Sequence, residues 1–380
     1  MFYYIIFILF IIKGSAFKLI EHPLEPRAGY IYGLKNINKL DRHTIAELKD
    51  LFIEKPLLVL KGVDNPTPKQ FIKFLSNFDD DCDFLAIQNP DKYPNQILQP
   101  FDRIPDCKHV APRGNVEINN FYNVKNITVK PGDAFINNYV WHTDLLGHET
   151  KLPGVITGFY IVENPLIGGD TDFISGETIY ENMNTNEQLT AQNMLIEINR
   201  LKFAIKKIET DYSGSSRLEP YEKIDAGYTR LPLVFAPSYK HESPSVLLLP
   251  SFFERVVGWS VEESREWIKQ FMYKNVLPHR FSIQWKKGDL CVFNNRRFMH
   301  SSTPARNYLS FEDSSKRLLL QTFLPTKRPL FGIVPYFTDI NCAMNTKWNK
   351  NEDHIILSQG EFIKYYGTKV TDGNRYLIMK

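Results

Sequence analysis

Short apolar segments closed by turns, with helices interrupting rather than alternating with them, limit what this chain can fold into. Leu57-Leu58-Val59-Leu60 reads as a buried strand, Gly29 to Leu34 as a short one before it, and Pro153 to Glu163 as another apolar strand. Leu231 to Leu249 reads as strands around a Pro237-Ser238-Tyr239 turn. From Phe281 onward come a strand, the turn Lys286-Lys287-Gly288-Asp289, the strand Leu290 to Phe293, a polar loop holding His300, and the strand Arg317 to Leu324. A parallel α/β sheet needs a helix after nearly every strand. This pattern predicts instead a mainly β chain with flanking helices, a β sandwich or jelly roll.

The helices carry their own signals. Asp41 to Glu54 is amphipathic, with Ile45, Leu48 and Phe52 on one face, and Pro56 stops it. Thr67, Pro68 and Gln70 form a capping box opening a helix whose inward stripe is Phe71, Phe74, Leu75 and Phe78; that aromatic spacing is core. A second box, Ser260 to Glu263, opens a helix running to about Lys274. Residues 176–210 read as mainly helical, 79–128 as long loops with short strands, and 211–230 as a polar insertion. Loops of such length commonly form the rim or lid of a site.

With 380 residues and 43% hydrophobic content the chain can bury a sizeable core. The formal charge of +3 is small and the signs are interspersed, so no basic stripe argues for nucleic acid, and a small-molecule substrate is expected. Met1 to Ile12 is almost wholly apolar and is followed by Lys13-Gly14-Ser15-Ala16, small residues where a signal peptidase reads. That run is too short for the roughly 20 residues of a membrane span. Residues 1–16 are therefore read as a signal peptide leading to the secretory pathway; an uncleaved anchor, or a cytoplasmic location, is the alternative. No later stretch looks transmembrane. Four cysteines lack any C-x-x-C spacing, which removes structural zinc; Cys82 with Cys107 is the favoured disulfide, and Cys291 is expected to be a buried thiol. Asn126-Ile127-Thr128 is a glycosylation sequon.

Chemistry is signalled first by Trp141-His142-Thr143-Asp144. Side chains two apart on an extended strand share a side, so His142 and Asp144 can grip one ion from one face. His142 alone among nine histidines is followed two residues later by an acid. A second histidine must then come from a distant segment, since two histidines and a carboxylate with the opposite face open are the ligands of non-haem Fe(II) oxygenases.

Further motifs carry a resemblance. They are the stretch Leu57 to Phe78, Trp141 to Asp144, Gly168-Gly169-Asp170-Thr171, Trp285 to Leu290, Asn294-Asn295-Arg296-Arg297-Phe298-Met299-His300, and Arg317. In this order and spacing, over roughly residues 30–325, the chain resembles the taurine dioxygenase (TauD/TfdA) family of Fe(II)- and 2-oxoglutarate-dependent oxygenases. The resemblance implies a double-stranded β-helix, a cupin-like jelly roll, over residues 17–325, with 326–380 as a C-terminal extension. It implies that His142, Asp144 and His300 bind iron, that Thr171 contacts a 2-oxoglutarate carboxylate, and that Arg317 pairs with the far carboxylate. A planar, always-charged guanidinium suits that last role, because two parallel hydrogen bonds fix orientation as well as charge. Gly168-Gly169 lets the backbone turn so that Thr171 points inward. O2 and 2-oxoglutarate are the implied co-substrates, and hydroxylation with release of succinate and CO2 the implied outcome. Asp144 as a carboxylate argues against halogenation, which needs that position for a halide.

Some positions depart from the family pattern. Asn294 replaces a common Asp but can still hydrogen-bond locally. Gln321 stands where the taurine enzyme has an arginine for its sulfonate, so taurine is not the expected substrate; Asn138 aligns with a substrate-pocket asparagine, and Arg306 is a spare cation. Desaturation or ring formation on the same fold, and a secreted non-catalytic cupin-like binding protein, are the competing readings. A homo-oligomer stays open.

Overall fold

The computed structural model describes residues 9–10, 16–83, 104–107, 109–122, 124–129, 141–144, 153–199, 228–235, 243–248, 250, 253–303, 316–328, 330–335, 354–357 and 374–379. Up to the first helix the strands are β1 (Leu9–Phe10), β2 (Lys18–His22) and β3 (Glu25–Tyr32); helix α1 (Arg42–Glu54), β4 (Leu57–Leu60) and α2 (Pro68–Leu75) follow. Next come β5 (Ala111–Gly114), β6 (Val116–Phe121), β7 (Val124–Val129), β8 (Ile156–Glu163) and β9 (Thr171–Ser175). After helices α3 (Gly176–Asn182) and α4 (Thr185–Gln192) lie β10 (Leu195–Asn199), β11 (Tyr228–Pro232), β12 (Val234–Phe235), β13 (Ser245–Val246) and β14 (Phe253–Val256). Helix α5 (Val261–Phe271) precedes β15 (Phe281–Ile283), β16 (Leu290–Asn294), β17 (Phe298–Ser302) and β18 (Leu318–Phe323), and β19 (Leu330–Pro335), β20 (His354–Leu357) and β21 (Asn374–Met379) close the chain.

Two sheets face each other. The larger has the order β1-β2-β3-β4-β16-β8-β18-β5, antiparallel except where β3 runs parallel to β4; the smaller is β15-β9-β17. Alternation along each strand decides what lies between them. Leu58, Leu60, Leu290, Val292, Leu318 and Leu320 point outward, where they pack with Leu48 and Phe52 of α1 and Phe71 and Leu75 of α2. Their neighbours Leu57, Val59, Cys291, Phe293 and Leu319 point inward, against Phe173, Phe281 and Phe298 of the smaller sheet. The outer face of that sheet, at Ile174 and Met299, joins a third cluster with β10, β14 and α5. The arrangement is the expected double-stranded β-helix. The C-terminal strands β19, β20 and β21 form a separate sheet with β12 and β13.

The caps form as the sequence predicts. Asp41 accepts from the Thr44 backbone N–H at 2.7 Å, and Thr67/Gln70 and Ser260/Glu263 are both reciprocal capping boxes. α5 is shorter than expected, giving way at Met272 to a π-helical turn. Three readings are corrected. Leu195–Asn199 is a strand, not helix: Ile196 and Ile198 alternate into the core while Arg255 bonds Glu197 at 2.5 Å. His300 lies in β17 rather than in a loop, because Phe298–Ser302 pairs residue by residue with Ser175–Thr171 of β9 and His300 takes a buried place on the inner face. Cys82 and Cys107 are free thiols, Cys82 packed in the outer core and Cys107 half-buried against it. Cys291 is the buried thiol expected. Among the described residues no helix is long and apolar enough to cross a membrane. Asn138, Arg306, the Pro237–Tyr239 turn and Cys342 lie outside the described residues.

Candidate metal centre

His142 and His300, distant in sequence, meet through their backbones. Each donates its N–H to the other's carbonyl, at 3.0 and 2.9 Å, so residues 141–144 extend the smaller sheet beyond β17. Directly opposed residues of an antiparallel pair share a face. The two imidazoles therefore lie side by side, ring centroids 4.3 Å apart, and Asp144 projects from the same side of its segment. Asp144 Oδ1 is 3.6 Å from His142 Nε2, and its Oδ2 is 3.6 Å from His300 Nε2. One ligand atom from each of the three falls within 4.8 Å of the others, a spacing that one ion can bridge. The separation of 156 positions between Asp144 and His300 (300 − 144) is bridged by the backbone pair of His142 and His300.

The electrostatics suit a cation. Burial pushes the His300 pKa down to about 3, helped by His142 and opposed by Asp144. The ring is therefore neutral, as a ligand must be. Phe293, Phe159 and Phe173 surround it at 5.1, 5.8 and 5.9 Å between centroids, so packing rather than hydrogen bonding orients it. Burial works to raise the Asp144 pKa, but the two histidines and the Thr157 hydroxyl outweigh it and hold the carboxyl below its ordinary value. Thr157 Oγ1 donates to Asp144 Oδ2 at 3.3 Å.

Asp144 is held from behind by Asn295, a residue to which the sequence reading gave no role. The Asp144 N–H donates to Asn295 Oδ1 at 2.9 Å, and Asn295 Nδ2 donates to the Asp144 and Gly154 carbonyls at 2.8 and 3.1 Å. The sequence signal was its place in the Asn294–His300 motif. Asn294, at the departure noted above, accepts from the Arg296 N–H at 3.0 Å, the local bond expected of it.

Thr171 opens β9 opposite Ser302, and Phe173 stands opposite His300. Period-two alternation puts Thr171 on the same inner face as His300. It follows Gly168 and Gly169, both with positive φ (82° and 77°), which is the tight turn glycine permits. Arg317 is buried just before β18, its N–H held by Asn115 Oδ1 at 2.7 Å. Its charge reaches Asp170, where it opposes the rise in pKa that burial and Asp172 cause. Arg317 thus acts electrostatically on Asp170, the residue immediately before Thr171. Gln321 donates from Nε2 toward both Asp144 oxygens at 3.5 Å, and its Oε1 accepts from Arg113 Nε at 3.3 Å.

Two sheets facing across a His/carboxylate/His cluster bring together a donor set that could hold one metal ion, of the kind used by mononuclear oxygenases. The family model described as "Taurine catabolism dioxygenase TauD, TfdA family" matches residues 22–322, and the chain belongs to that family. Among solved structures, a taurine dioxygenase from Burkholderia xenovorans is similar with a TM-score of 0.55 at 16% identity, covering 82% of this chain and 90% of that one. AAD-2, solved with Mn(II) and N-oxalylglycine, is similar at 0.54 and 18%, covering 82% and 98%.

Proposed function

We propose that the chain is an Fe(II)- and 2-oxoglutarate-dependent dioxygenase that hydroxylates a small organic substrate, releasing succinate and CO2. The observation that carries this reading is the convergence of His142, Asp144 and His300 within 4.8 Å on one side of a sheet junction. A neutral imidazole at His300, an ionised carboxylate at Asp144 and the His142 ring are a donor set for a divalent first-row metal, and three ligands on one face leave positions open. When bound, iron with the keto acid and O2 supplies the oxidising power for attack on a substrate carbon.

The chain's own residues bind, orient and exclude water. Thr171 and Arg317 are the groups for the co-substrate carboxylates: a hydroxyl on the inner face of β9 and a buried charged fork just before β18. Phe159, Phe173 and Phe293 back His300 and keep solvent from behind the metal ligands. Gln321 is a neutral amide beside the ligand carboxylate, which disfavours a sulfonate substrate. The apolar Met1–Ile12 run supports entry into the secretory pathway with removal of residues 1–16; expression with and without that segment, scored for glycosylation at Asn126, checks it.

Anaerobic addition of Fe(II) and 2-oxoglutarate should give a weak visible charge-transfer band, absent in His300→Ala. Succinate release with a panel of candidate substrates then separates catalysis from mere binding. No band in the wild type, or an equal band in the variant, overturns the assignment.

A further inference from the structure

One buried hydrogen bond of the site is unused by the reading above. Trp285 Nε1 donates to Thr171 Oγ1 at 2.9 Å, and both residues are buried. We infer that Trp285 is a positioning residue for the co-substrate: its indole commits the Thr171 hydroxyl to donating a hydrogen bond into the cavity between the sheets. This rests on the dioxygenase reading and adds a residue to it.

The logic is one of donors and acceptors. An indole N–H only donates, whereas a hydroxyl has one proton and two lone pairs. With the indole on a lone pair, Thr171 cannot return its proton to Trp285 and must send it elsewhere. Its face of β9 is the one shared with His300, toward the metal ligands. A hydroxyl held in this way presents its proton to an acceptor, and an ionised carboxylate is the strongest one a co-substrate can offer.

The indole is fixed firmly enough to do this. Asn164 Nδ2 donates to the Trp285 carbonyl at 3.1 Å, and the ring stands edge-on to Phe159 at 6.3 Å and 88°. Phe159 in turn contacts the His300 ring. Ile283, two residues before Trp285, pairs with Thr171 across the β15–β9 ladder, so backbone register sets the distance between indole and hydroxyl.

The test is binding of N-oxalylglycine to the Mn(II)-loaded full chain by calorimetry, with Mn(II) affinity measured separately. Trp285→Phe should weaken N-oxalylglycine about tenfold, the scale of one charge-assisted hydrogen bond, and leave Mn(II) affinity unchanged. Thr171→Val should weaken it similarly, the double variant no further, and Thr171→Ser should retain both binding and sensitivity to Trp285→Phe. Unaltered binding in Trp285→Phe, or additive losses in the double variant, overturns the inference while leaving the dioxygenase reading intact. Failure of the wild type to bind N-oxalylglycine overturns both. Should Trp285→Phe not fold, the indole N–H resonance of Trp285, read with diamagnetic Zn(II) in place of Mn(II), decides: it should shift when N-oxalylglycine binds the wild type, and not in Thr171→Val. An indole resonance that is silent in the wild type refutes the coupling.

Discussion

Asn295→Ala removes three hydrogen bonds at once, and all three end on the backbone that carries or faces the ligand carboxylate. The Asp144 N–H and carbonyl and the Gly154 carbonyl lose partners at 2.9, 2.8 and 3.1 Å. Each buried backbone group left unsatisfied costs about 1–3 kcal/mol. Asn295 is fully buried, but the space it vacates can admit a water that recovers part of the loss, so the lower end applies: about 3 kcal/mol in the metal-free protein. Metal affinity should fall too, because Asp144 would then lose the backbone brace and keep its side-chain contacts to Thr157, Gln321 and the two histidines. Loss of an outer hydrogen-bond partner of a metal ligand typically costs 10- to 100-fold in affinity. That corresponds to about 1.4–2.7 kcal/mol. Thermal unfolding with and without Mn(II), together with Mn(II) calorimetry, separates the two effects. The variant should be destabilised in both states, and more so with metal present. A variant that loses stability yet keeps its Mn(II) affinity within about twofold would show that Asn295 braces the fold without orienting the ligand, refuting the reasoning.

Gly114 has φ +149°, and a Cβ there would lie 1.8 Å from the Arg317 carbonyl oxygen; Gly114→Ala should destabilise by about 3 kcal/mol and weaken N-oxalylglycine by displacing Arg317, seen by unfolding and calorimetry. The His300 pKa falls from 6.5 to about 3 on folding, so the unfolded chain takes the proton first. Stability of the metal-free protein should then drop as pH falls below about 6.5, by about 2 kcal/mol at pH 5 from this group, and His300→Gln should flatten that slope in denaturant titrations. Burial raises the Cys82 and Cys107 thiols to about 12 and about 11, so a disulfide reagent at pH 8 should modify neither in the native protein and both after unfolding. A Cys82–Cys107 linkage in a non-reducing peptide map would contradict the structure.

What could be read in the sequence was what leaves a local trace. The capping boxes at Thr67 and Ser260 and the inward stripe of α2 depend on residues three or four apart, and the structure has them where the pattern put them. His142 with Asp144 needed only a period of two. His300 could be reached only through the family resemblance, because the contact that brings it in is a backbone bridge between distant segments. Asn295 and Trp285 were visible as motif letters without roles. The first acts on another segment's backbone and the second on a hydroxyl 114 residues away, and neither contact imposes any spacing on the sequence.

The misplacement of His300 in a loop has a more general cause. Hydrophobic alternation identifies a strand by its buried apolar face, and in this fold the buried face serves two purposes. Along β17 the inward positions are Phe298, His300 and Ser302; along β9 they are Thr171, Phe173 and Ser175; along β8 they include Thr157, Phe159 and Ile161. Phe173, Phe298, Phe159 and Ile161 join the inner core, while His300, Thr171 and Thr157 are the polar groups of the proposed metal centre on the same face. A strand that contributes to both breaks the alternation at the residues that matter for chemistry, and so reads as a polar loop. The rule fails at β17 because there a buried histidine interrupts the apolar face. In a β-helix of this kind, a polar gap between two apolar strand segments is therefore a place to look for the site rather than a reason to end the strand.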